Sequence, residues 1–292
     1  MERIERALEI ARLQLRAREP ASATATAAAV EAAPTVVTSP AALSRPARPA
    51  VAAAIPTPHV VHGALLPRYS LQRETLRERC VLLADDPSAA ARAYRMLRAQ
   101  LLQRVRASRM RVFGVVSAVS GEGKTITAIN LALALAAEPN QQVALLDFDL
   151  RHPCIASTLG IAPATGLDSW LTEGAQPASA VLCELEGIAR LQIAPTLAAV
   201  GSSSECLAGA RARALLEELR EDDGRVLLLD LPPALLSDDV LTVSPLVDGF
   251  IFVVTEGRTR REDVERVIEL VGRARIVGTV LNGSIDSEQR AY

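Results

Sequence analysis

Residues 118 to 125 combine glycine, lysine and threonine in a spacing that suits phosphate binding. The segment reads Ala118-Val119-Ser120-Gly121-Glu122-Gly123-Lys124-Thr125, and it lies between an apolar run and an apolar helical pattern. The order strand, glycine-rich loop, helix is that of a P-loop. Glycines let backbone N–H groups turn towards phosphate oxygens, the helix N-terminus adds positive charge, and the lysine bridges the outer phosphates. The segment therefore predicts ATP binding with Mg²⁺ on the threonine hydroxyl, through Ser120, Gly121, Glu122, Gly123, Lys124, Thr125 and Ile126.

Two details bear on this interpretation. Ala118 stands where the usual pattern has its first glycine, which adds one methyl group at the loop entry. Lys124 is the only lysine among 32 basic residues, and it stands where a compact cation is needed for phosphate. The alternative is a tight turn with a chance lysine, which this placement disfavours.

Carboxylates end two further apolar runs. The first run ends in Asp147 and Asp149, one residue apart, and the second ends in Asp230 before a proline pair. We expect the first of these strands to lie beside the P-loop strand, so that the acids face the phosphate site. There they could hold hydrated Mg²⁺ and orient a proton from an incoming hydroxyl. The alternative role for each acid is the capping of a following helix.

Composition excludes several other classes of function. The formal net charge of −2 and the pI near 6.0 give no basic field for nucleic acid. Four cysteines lie far apart without a CxxC pair, which indicates reduced thiols rather than a zinc site. No run approaches the roughly 18 apolar residues of a membrane span, and the first residues do not resemble a signal peptide. We therefore expect a cytoplasmic protein, held at the inner face of the membrane only through a partner.

The elements around these motifs alternate between strands and helices. Apolar runs at 112–117, 142–147, 191–194, 225–230, 250–255 and 275–281 predict strands, and helical patterns occupy 124–137, 207–220 and 260–273. Continuous apolar strands separated by helices predict a parallel sheet that is covered on both faces. The fold class is therefore a doubly wound, mainly parallel α/β P-loop NTPase domain.

The N-terminal part of the chain differs from this domain. Residues 1–19 place apolar side chains at helical spacing with nearly balanced charges, which predicts an amphipathic docking helix or, equally, a solvated one. Residues 20–65 are rich in alanine and proline and lack aromatic side chains, so they predict a disordered linker. The ATPase domain is expected to occupy residues 66–292 with a short C-terminal tail.

The motif order resembles the bacterial tyrosine kinases (BY-kinases) of capsule and exopolysaccharide synthesis, a branch of the MinD/ParA-like P-loop ATPases. The resemblance covers residues 85 to 284 and includes the DxDxR motif at Asp147, Asp149 and Arg151, followed by the LLLDLPP segment. It implies ATP-dependent phosphorylation of tyrosine, often on a tyrosine-rich C-terminal tail, and engagement of a membrane polysaccharide co-polymerase or chain-length protein. It also implies that Asn282 meets the adenine.

The resemblance implies a role for each polar residue of the site. Lys124 and Thr125 would bind phosphate and Mg²⁺, and Asp147 and Asp230 would organise the metal. Asp149 would be the hydrogen-bond partner of the attacking hydroxyl group. Val119 stands where MinD and ParA proteins have a second lysine, which favours the kinase branch.

Two departures affect the acceptor and the assembly. The tail contains one tyrosine, Tyr292, as a candidate phosphoacceptor instead of a cluster. The family's ExxRxxR helix contributes to ring assembly, and its positions here are Arg92, Arg95 and Arg98, so that an acid has become a base. A homo-oligomer is therefore an open prediction. The alternatives to a kinase are a MinD/ParA-like ATPase switch that controls assembly of a partner and an adaptor that binds nucleotide without turnover.

Overall fold

A computed structural model of the chain describes residues 66–173, 177–221 and 224–284. The predicted docking helix at 1–19, the linker at 20–65 and Tyr292 lie outside these residues. The described chain forms an eight-stranded sheet. Its strands are β1 (Arg68–Tyr69), β2 (Val112–Ser117), β3 (Val143–Asp147), β4 (Cys183–Leu185), β5 (Ile188–Ala194), β6 (Val226–Asp230), β7 (Gly249–Thr255) and β8 (Ile276–Asn282).

Helices connect these strands within the described residues. They are α1 (Arg73–Glu78), α2 (Ala89–Ser108), α3 (Lys124–Ala136), α4 (Ile155–Leu159), α5 (Leu167–Glu173), α6 (Ser203–Ala208), α7 (Ala210–Arg220), α8 (Asp239–Val243) and α9 (Arg261–Val271). Short 3-10 turns occupy Ala178–Val181, Ser244–Leu246 and Arg273–Arg275. No helix in the described ranges is long and apolar enough to cross a membrane.

The strand order is β1-β4-β5-β3-β6-β2-β7-β8, with every neighbouring pair parallel except β4 and β5. The predicted fold class is confirmed. The predicted position of β3 beside the P-loop strand is wrong, because β6 lies between β3 and β2. Register nevertheless places Asp147 directly opposite Asp230, so the two acids still meet at the carboxyl edge of the sheet.

The sheet is buried on both faces, as its continuous apolar strands predict. All six residues of β2 are buried, and alternate side chains point to opposite faces. Phe113 and Val115 pack with residues of α2 and α3, whereas Val112 and Val116 pack with residues of α7 and α9. These two layers hold the carboxyl ends of β2, β3 and β6 in fixed positions.

Two local features differ from the sequence prediction. The helix predicted at 207–220 is broken at Gly209, whose extended backbone (φ −67°, ψ 157°) ends α6 and begins α7. Strands β1 and β4 were not predicted, and β4 adds an antiparallel pair to β5. Neither feature moves the strand ends that carry the predicted site.

Candidate functional site

The P-loop leaves β2 at Ser117 and enters α3 at Lys124. Gly121 and Gly123 have φ angles of 76° and 85°, a region in which residues with a Cβ are strained. A Cβ on Gly123 would also stand 2.0 Å from the amide nitrogen of Asn282. The two glycines are therefore required by the backbone path of the loop, which leads directly into the N-terminus of α3.

The strand ends bring Lys124 and two of the predicted acids into direct contact. The Lys124 ammonium donates to Asp149 Oδ2 at 2.7 Å and lies 3.6 Å from Asp230 Oδ1. The Thr125 hydroxyl donates to Asp230 Oδ2 at 2.6 Å. Lys124, Asp149 and Asp230 are all buried. The structure thus places four of the predicted polar residues, Lys124, Thr125, Asp149 and Asp230, at one point on the sheet edge.

Asp147 completes this cluster from the end of β3. Its Oδ2 accepts the backbone N–H groups of Cys154 and Ile155 at 3.0 Å each. Its Oδ1 is buried without a hydrogen-bond partner in the described structure, and so is Asp230 Oδ1 apart from the lysine 3.6 Å away. The helix-capping alternative is therefore half right for Asp147, because one oxygen caps and the other is left over.

The electrostatics of the cluster follow from burial and from its excess of acids. Burial raises the pKa of Asp147 well above its usual range, and the charge of Asp230 adds to the effect. Burial also raises the pKa of Asp230, against the opposing influence of Lys124. Burial alone would lower the pKa of Lys124, but Asp230 and Asp149 outweigh it and raise that pKa above its usual value. The cluster therefore holds three acids and a single cation, Lys124, so that a further positive charge would stabilise it.

These residues fit a magnesium ion bound together with phosphate. Two buried carboxylate oxygens without partners and one hydroxyl are the hard oxygen donors that Mg²⁺ prefers. In the described part of the chain, no three His, Cys, Asp or Glu side chains are arranged to hold an ion by themselves. Mg²⁺ usually keeps several waters and takes ligands from substrate phosphates, so a partial protein donor set is what such a site needs.

Three polar side chains without a predicted role donate hydrogen bonds to the carbonyls and the glutamate of the P-loop. Arg258 donates to the carbonyls of Ser120 and Gly121, and Thr255 donates to the carbonyl of Glu122. Thr259 donates to the buried Glu122 carboxylate. Thr255 is the last residue of β7, and Arg258 and Thr259 follow it in the segment EGRTRRED, which has no glycine-rich loop or strand-end acid to indicate a functional role.

Asn282 and Ile126, the remaining predicted nucleotide contacts, lie at the edge of this site. The amide nitrogen of Asn282 donates to the Glu122 carbonyl at 3.0 Å. Ile126 is half-buried in the first turn of α3 and packs against the core. The adenine contact of Asn282 stays a prediction.

Arg151 of the DxDxR motif joins a second network below the phosphate site. Its guanidinium contacts Asp239 Oδ2 at 3.2 Å and the Ser203 hydroxyl at 2.9 Å, and Asp239 is fully buried. Asp238, which is 68% exposed, meets the same guanidinium at 3.2 Å. Arg151 therefore ties the loop that carries Asp149 to the segment that follows the β6 acid.

We expect Asp239→Asn to lower the free energy of unfolding by about 1–2 kcal/mol at pH 7, because a buried carboxylate loses its charge-assisted hydrogen bonds. Burial would raise the pKa of Asp239, but donors led by Ser204 and Arg151 hold it below 3.8. The stabilisation is therefore complete above pH 3.8 and is lost as pH falls through the lower, folded-state pKa. Urea unfolding at pH 7 and pH 3 measures this difference.

Asp238→Asn is the matched control, because Asp238 contacts the same arginine from an exposed position. An exposed ion pair contributes little, so its effect should stay within about 0.5 kcal/mol. A deficit in Asp239→Asn that is as large at pH 3 as at pH 7 would contradict the assignment of the effect to the charged carboxylate.

The three arginines at the ExxRxxR positions lie on α2, away from the phosphate site. Arg92 and Arg95 donate to the carbonyls of Pro87 and Asp86, and Arg98 donates to Ala134 and pairs with Glu138 at 3.6 Å. Their contacts within this chain show how the helix is fixed to its own domain.

Comparisons with known proteins found a matching family model and named relatives. The ParA family model, described as NUBPL iron-transfer P-loop NTPase, matches residues 109–289. Succinoglycan biosynthesis transport protein ExoP of Rhizobium meliloti (strain 1021) is 30% identical over 215 residues, which are 72% of this chain and 27% of that protein. Tyrosine-protein kinase YwqD of Bacillus subtilis (strain 168) is 25% identical over 219 residues, 74% of this chain and 91% of that protein.

A solved structure shares the fold. The kinase domain of the Escherichia coli tyrosine kinase ETK superposes with a TM-score of 0.64 at 24% identity, over 72% of this chain and 82% of that domain. This chain thus spans 27% of the length of ExoP and nearly all of YwqD.

Proposed function

We propose that this chain, which belongs to the ParA family of P-loop NTPases and within it to the bacterial tyrosine kinases, phosphorylates protein tyrosine with MgATP. The family predicted from the motifs is confirmed by these comparisons. Through this activity the chain regulates the synthesis or export of an exopolysaccharide. Relatives named as a tyrosine kinase and as a succinoglycan transport protein support both parts of the proposal.

The observation that carries the proposal is the third buried carboxylate, Asp149. Two acids suffice to organise a metal beside a P-loop, and Asp147 and Asp230 have the oxygens left over for that role. Asp149 instead contacts Lys124, the residue that must reach the transferred phosphate, at 2.7 Å. A carboxylate at that point is suited to accept the proton of an attacking hydroxyl.

Each residue of the cluster then has a distinct task. The glycine N–H groups and Lys124 would hold the phosphates, and the Thr125 hydroxyl, Asp147 and Asp230 would hold Mg²⁺. The metal, when bound, neutralises charge on the outer phosphate oxygens. Phosphoryl transfer has a loose transition state, so positioning and charge neutralisation supply most of the rate enhancement.

Tyr292 is the proposed phosphoacceptor. The other two tyrosines, Tyr69 and Tyr94, are half-buried and pack against the apolar core. The Tyr94 hydroxyl also lies 3.5 Å from the Thr127 hydroxyl. Both are therefore held within the fold, whereas Tyr292 is at the C-terminal end of the sequence.

The proposed partner is a membrane polysaccharide co-polymerase or chain-length protein. ExoP, a succinoglycan biosynthesis transport protein, aligns with this chain over 27% of its own length. Residues 1–19, for which the sequence predicts an amphipathic helix, are the proposed docking element. Self-association remains a proposal, with Arg92 in place of the family acid.

The alternative is an ATPase switch of the MinD/ParA type without kinase activity. The single tail tyrosine favours it, and Val119 in place of a second lysine disfavours it. The family model is described as iron-transfer, but the residues give this function no support, since the four cysteines lie far apart in the sequence and the described residues hold no three-ligand cluster.

Purified full-length chain incubated with MgATP should acquire phosphate on tyrosine, mapped by mass spectrometry. We expect Asp149→Asn to reduce phosphotyrosine at least a hundredfold, because general-base catalysis is worth about 10²–10⁴-fold. Its MgADP affinity should change much less, since Asp149 is not proposed to hold the nucleotide. Tyr292→Phe should abolish the phosphotyrosine if this tail residue is the acceptor.

Tyr94→Phe is the matched control, because it removes a tyrosine hydroxyl from within the fold. Phosphate retained in Tyr292→Phe and lost in Tyr94→Phe would reverse the acceptor assignment. Steady hydrolysis of ATP without phosphotyrosine would exclude the kinase and favour the switch.

A further inference from the structure

Three consecutive carbonyl oxygens of the P-loop accept hydrogen bonds from side chains outside the loop. Arg258 donates from one guanidinium nitrogen to the Gly121 carbonyl at 3.0 Å and from the other to the Ser120 carbonyl at 3.1 Å. The Glu122 carbonyl accepts from the Thr255 hydroxyl and the Asn282 amide, each at 3.0 Å. We call Thr255, Arg258 and Asn282 the carbonyl clamp.

The carbonyl clamp controls where the loop amides point. A peptide unit is planar and trans, so a carbonyl and the next residue's N–H point in opposite directions. Fixing the carbonyls of residues 120 to 122 therefore fixes the N–H groups of residues 121 to 123. Those are the groups that form the phosphate-binding concavity of a P-loop.

Glu122 anchors the same loop through its buried side chain. One carboxylate oxygen accepts the Val119 N–H at 3.0 Å, and the other accepts the Thr259 hydroxyl. Thr259 and Arg258 belong to one turn, in which the Thr255 carbonyl accepts both of their backbone N–H groups. The end of β7 thus holds the outer wall of the P-loop through side chains from a single turn.

Arg258 is the member of the carbonyl clamp that tests this arrangement best. It holds two of the three carbonyls, and it is exposed, so its replacement leaves the core intact. A Cβ on Gly121 would stand 3.0 Å from its guanidinium, which shows how closely the side chain covers the loop.

We propose that Arg258 is a positioning residue for nucleotide phosphates, which holds the Ser120 and Gly121 carbonyls so that the following amides face the phosphates before nucleotide binds. This inference rests on the nucleotide binding of the proposed function and is independent of tyrosine phosphorylation. A loop that is already ordered loses less entropy on binding, so the arrangement strengthens affinity.

Calorimetric titration of the full chain with MgADP tests the proposal without any turnover. Arg258→Gln should weaken MgADP binding by about tenfold, because two charge-assisted hydrogen bonds are lost. Arg258→Lys should weaken it by a similar factor, because an ammonium keeps the charge but lacks the fork that reaches both carbonyls. Arg260→Gln, which removes a charge from the same turn, should stay within about twofold, since long-range attraction of an exposed charge is weak.

Hydrogen exchange of the nucleotide-free protein supplies a second readout. The amides of residues 121 to 123 should exchange faster in both Arg258 variants, whereas those of β3 and β6 should not change. Wild-type MgADP affinity in Arg258→Lys, with weak binding in Arg258→Gln, would overturn the proposal and leave only a charge effect. Unchanged exchange in both variants would also overturn it. A wild-type chain that fails to bind MgADP would refute nucleotide binding itself. Faster exchange of these amides in the Arg258 variants would then show that the carbonyl clamp only stabilises the loop.

Discussion

Replacement of Lys124 with alanine is expected to weaken MgATP binding by up to about a hundredfold. The side chain is buried beside three acids, and it is the only charged donor from the loop that can reach the outer phosphates. Loss of hydrogen bonds between charged groups costs about 1.5–3 kcal/mol, which is roughly tenfold to a hundredfold in affinity. Calorimetric titration with a non-hydrolysable ATP analogue and Mg²⁺ measures the loss.

Lys124→Ala also leaves Asp149 and Asp230 without their cation, so its stability must be measured beside its affinity. Breaking a buried ion pair by removal of one partner typically costs about 3–5 kcal/mol. Lys124→Arg keeps the charge, but a planar guanidinium does not match the compact space between Asp149 and Thr125. It should remain folded and still bind at least about tenfold more weakly. Affinity equal to that of the wild type in this folded variant would contradict the assignment of Lys124 to phosphate.

Much of the fold could be predicted because its signals are local. The strands β2, β3 and β6 are fully buried, and each appears in the sequence as an unbroken apolar run. The glycines at 121 and 123 signalled a backbone path that other residues avoid. The motifs themselves therefore placed Lys124 and Thr125 at the start of α3 and the acids at or just after the ends of β3 and β6.

Strand pairing could not be predicted in the same way. The sequence orders β3 directly after the P-loop helix, and nothing in either strand shows that β6 inserts between them. Pairing depends on the packing of the whole sheet, since three equally apolar strands could exchange places without changing their patterns. The prediction that Asp147 and Asp230 lie close together is nevertheless correct, because β3 and β6 end at the same edge of the sheet.

The partners of the loop carbonyls were also beyond the sequence. Thr255, Arg258 and Thr259 stand more than 130 positions from the P-loop and look like ordinary surface residues. Their role depends on β7 lying next to β2, a tertiary contact. The break at Gly209 is similar, because a glycine within a helical pattern marks either a tolerated residue or a new N-terminus.

Asp147→Asn should have two opposite effects, a more stable nucleotide-free protein and a loss of magnesium-dependent binding. Burial and the charge of Asp230 already disfavour the ionised Asp147, and its Oδ1 has no partner in the described structure. Asparagine keeps one oxygen for the N–H groups of Cys154 and Ile155 and removes the charge. We expect a gain of about 1 kcal/mol in the free energy of unfolding, the size typical of such relief.

Mg²⁺ is expected to strengthen ADP binding relative to EDTA, and the same substitution should reduce this ratio of affinities by about tenfold. Loss of a group that holds or orients a metal usually has an effect of this size. Titrations with Mg²⁺ and with EDTA give this ratio, and urea unfolding gives the stability. Asp168→Asn is the control, because Asp168 also accepts a backbone N–H, that of Leu197 at 2.9 Å, but lies outside the cluster. It should leave the magnesium effect unchanged and give no gain in stability.

A less stable Asp147→Asn protein that retains the magnesium effect would mean that Asp147 serves only to cap α4. A more stable protein without the effect would mean that the buried acids are retained at a cost to folding because they serve the ligand. The distinction matters for Asp230 as well, since this residue is the register partner of Asp147 and also has a buried carboxylate oxygen without a hydrogen-bond partner. Two buried carboxylates that each have an oxygen without a hydrogen-bond partner are unfavourable by themselves, and both oxygens would be suitable ligands for Mg²⁺.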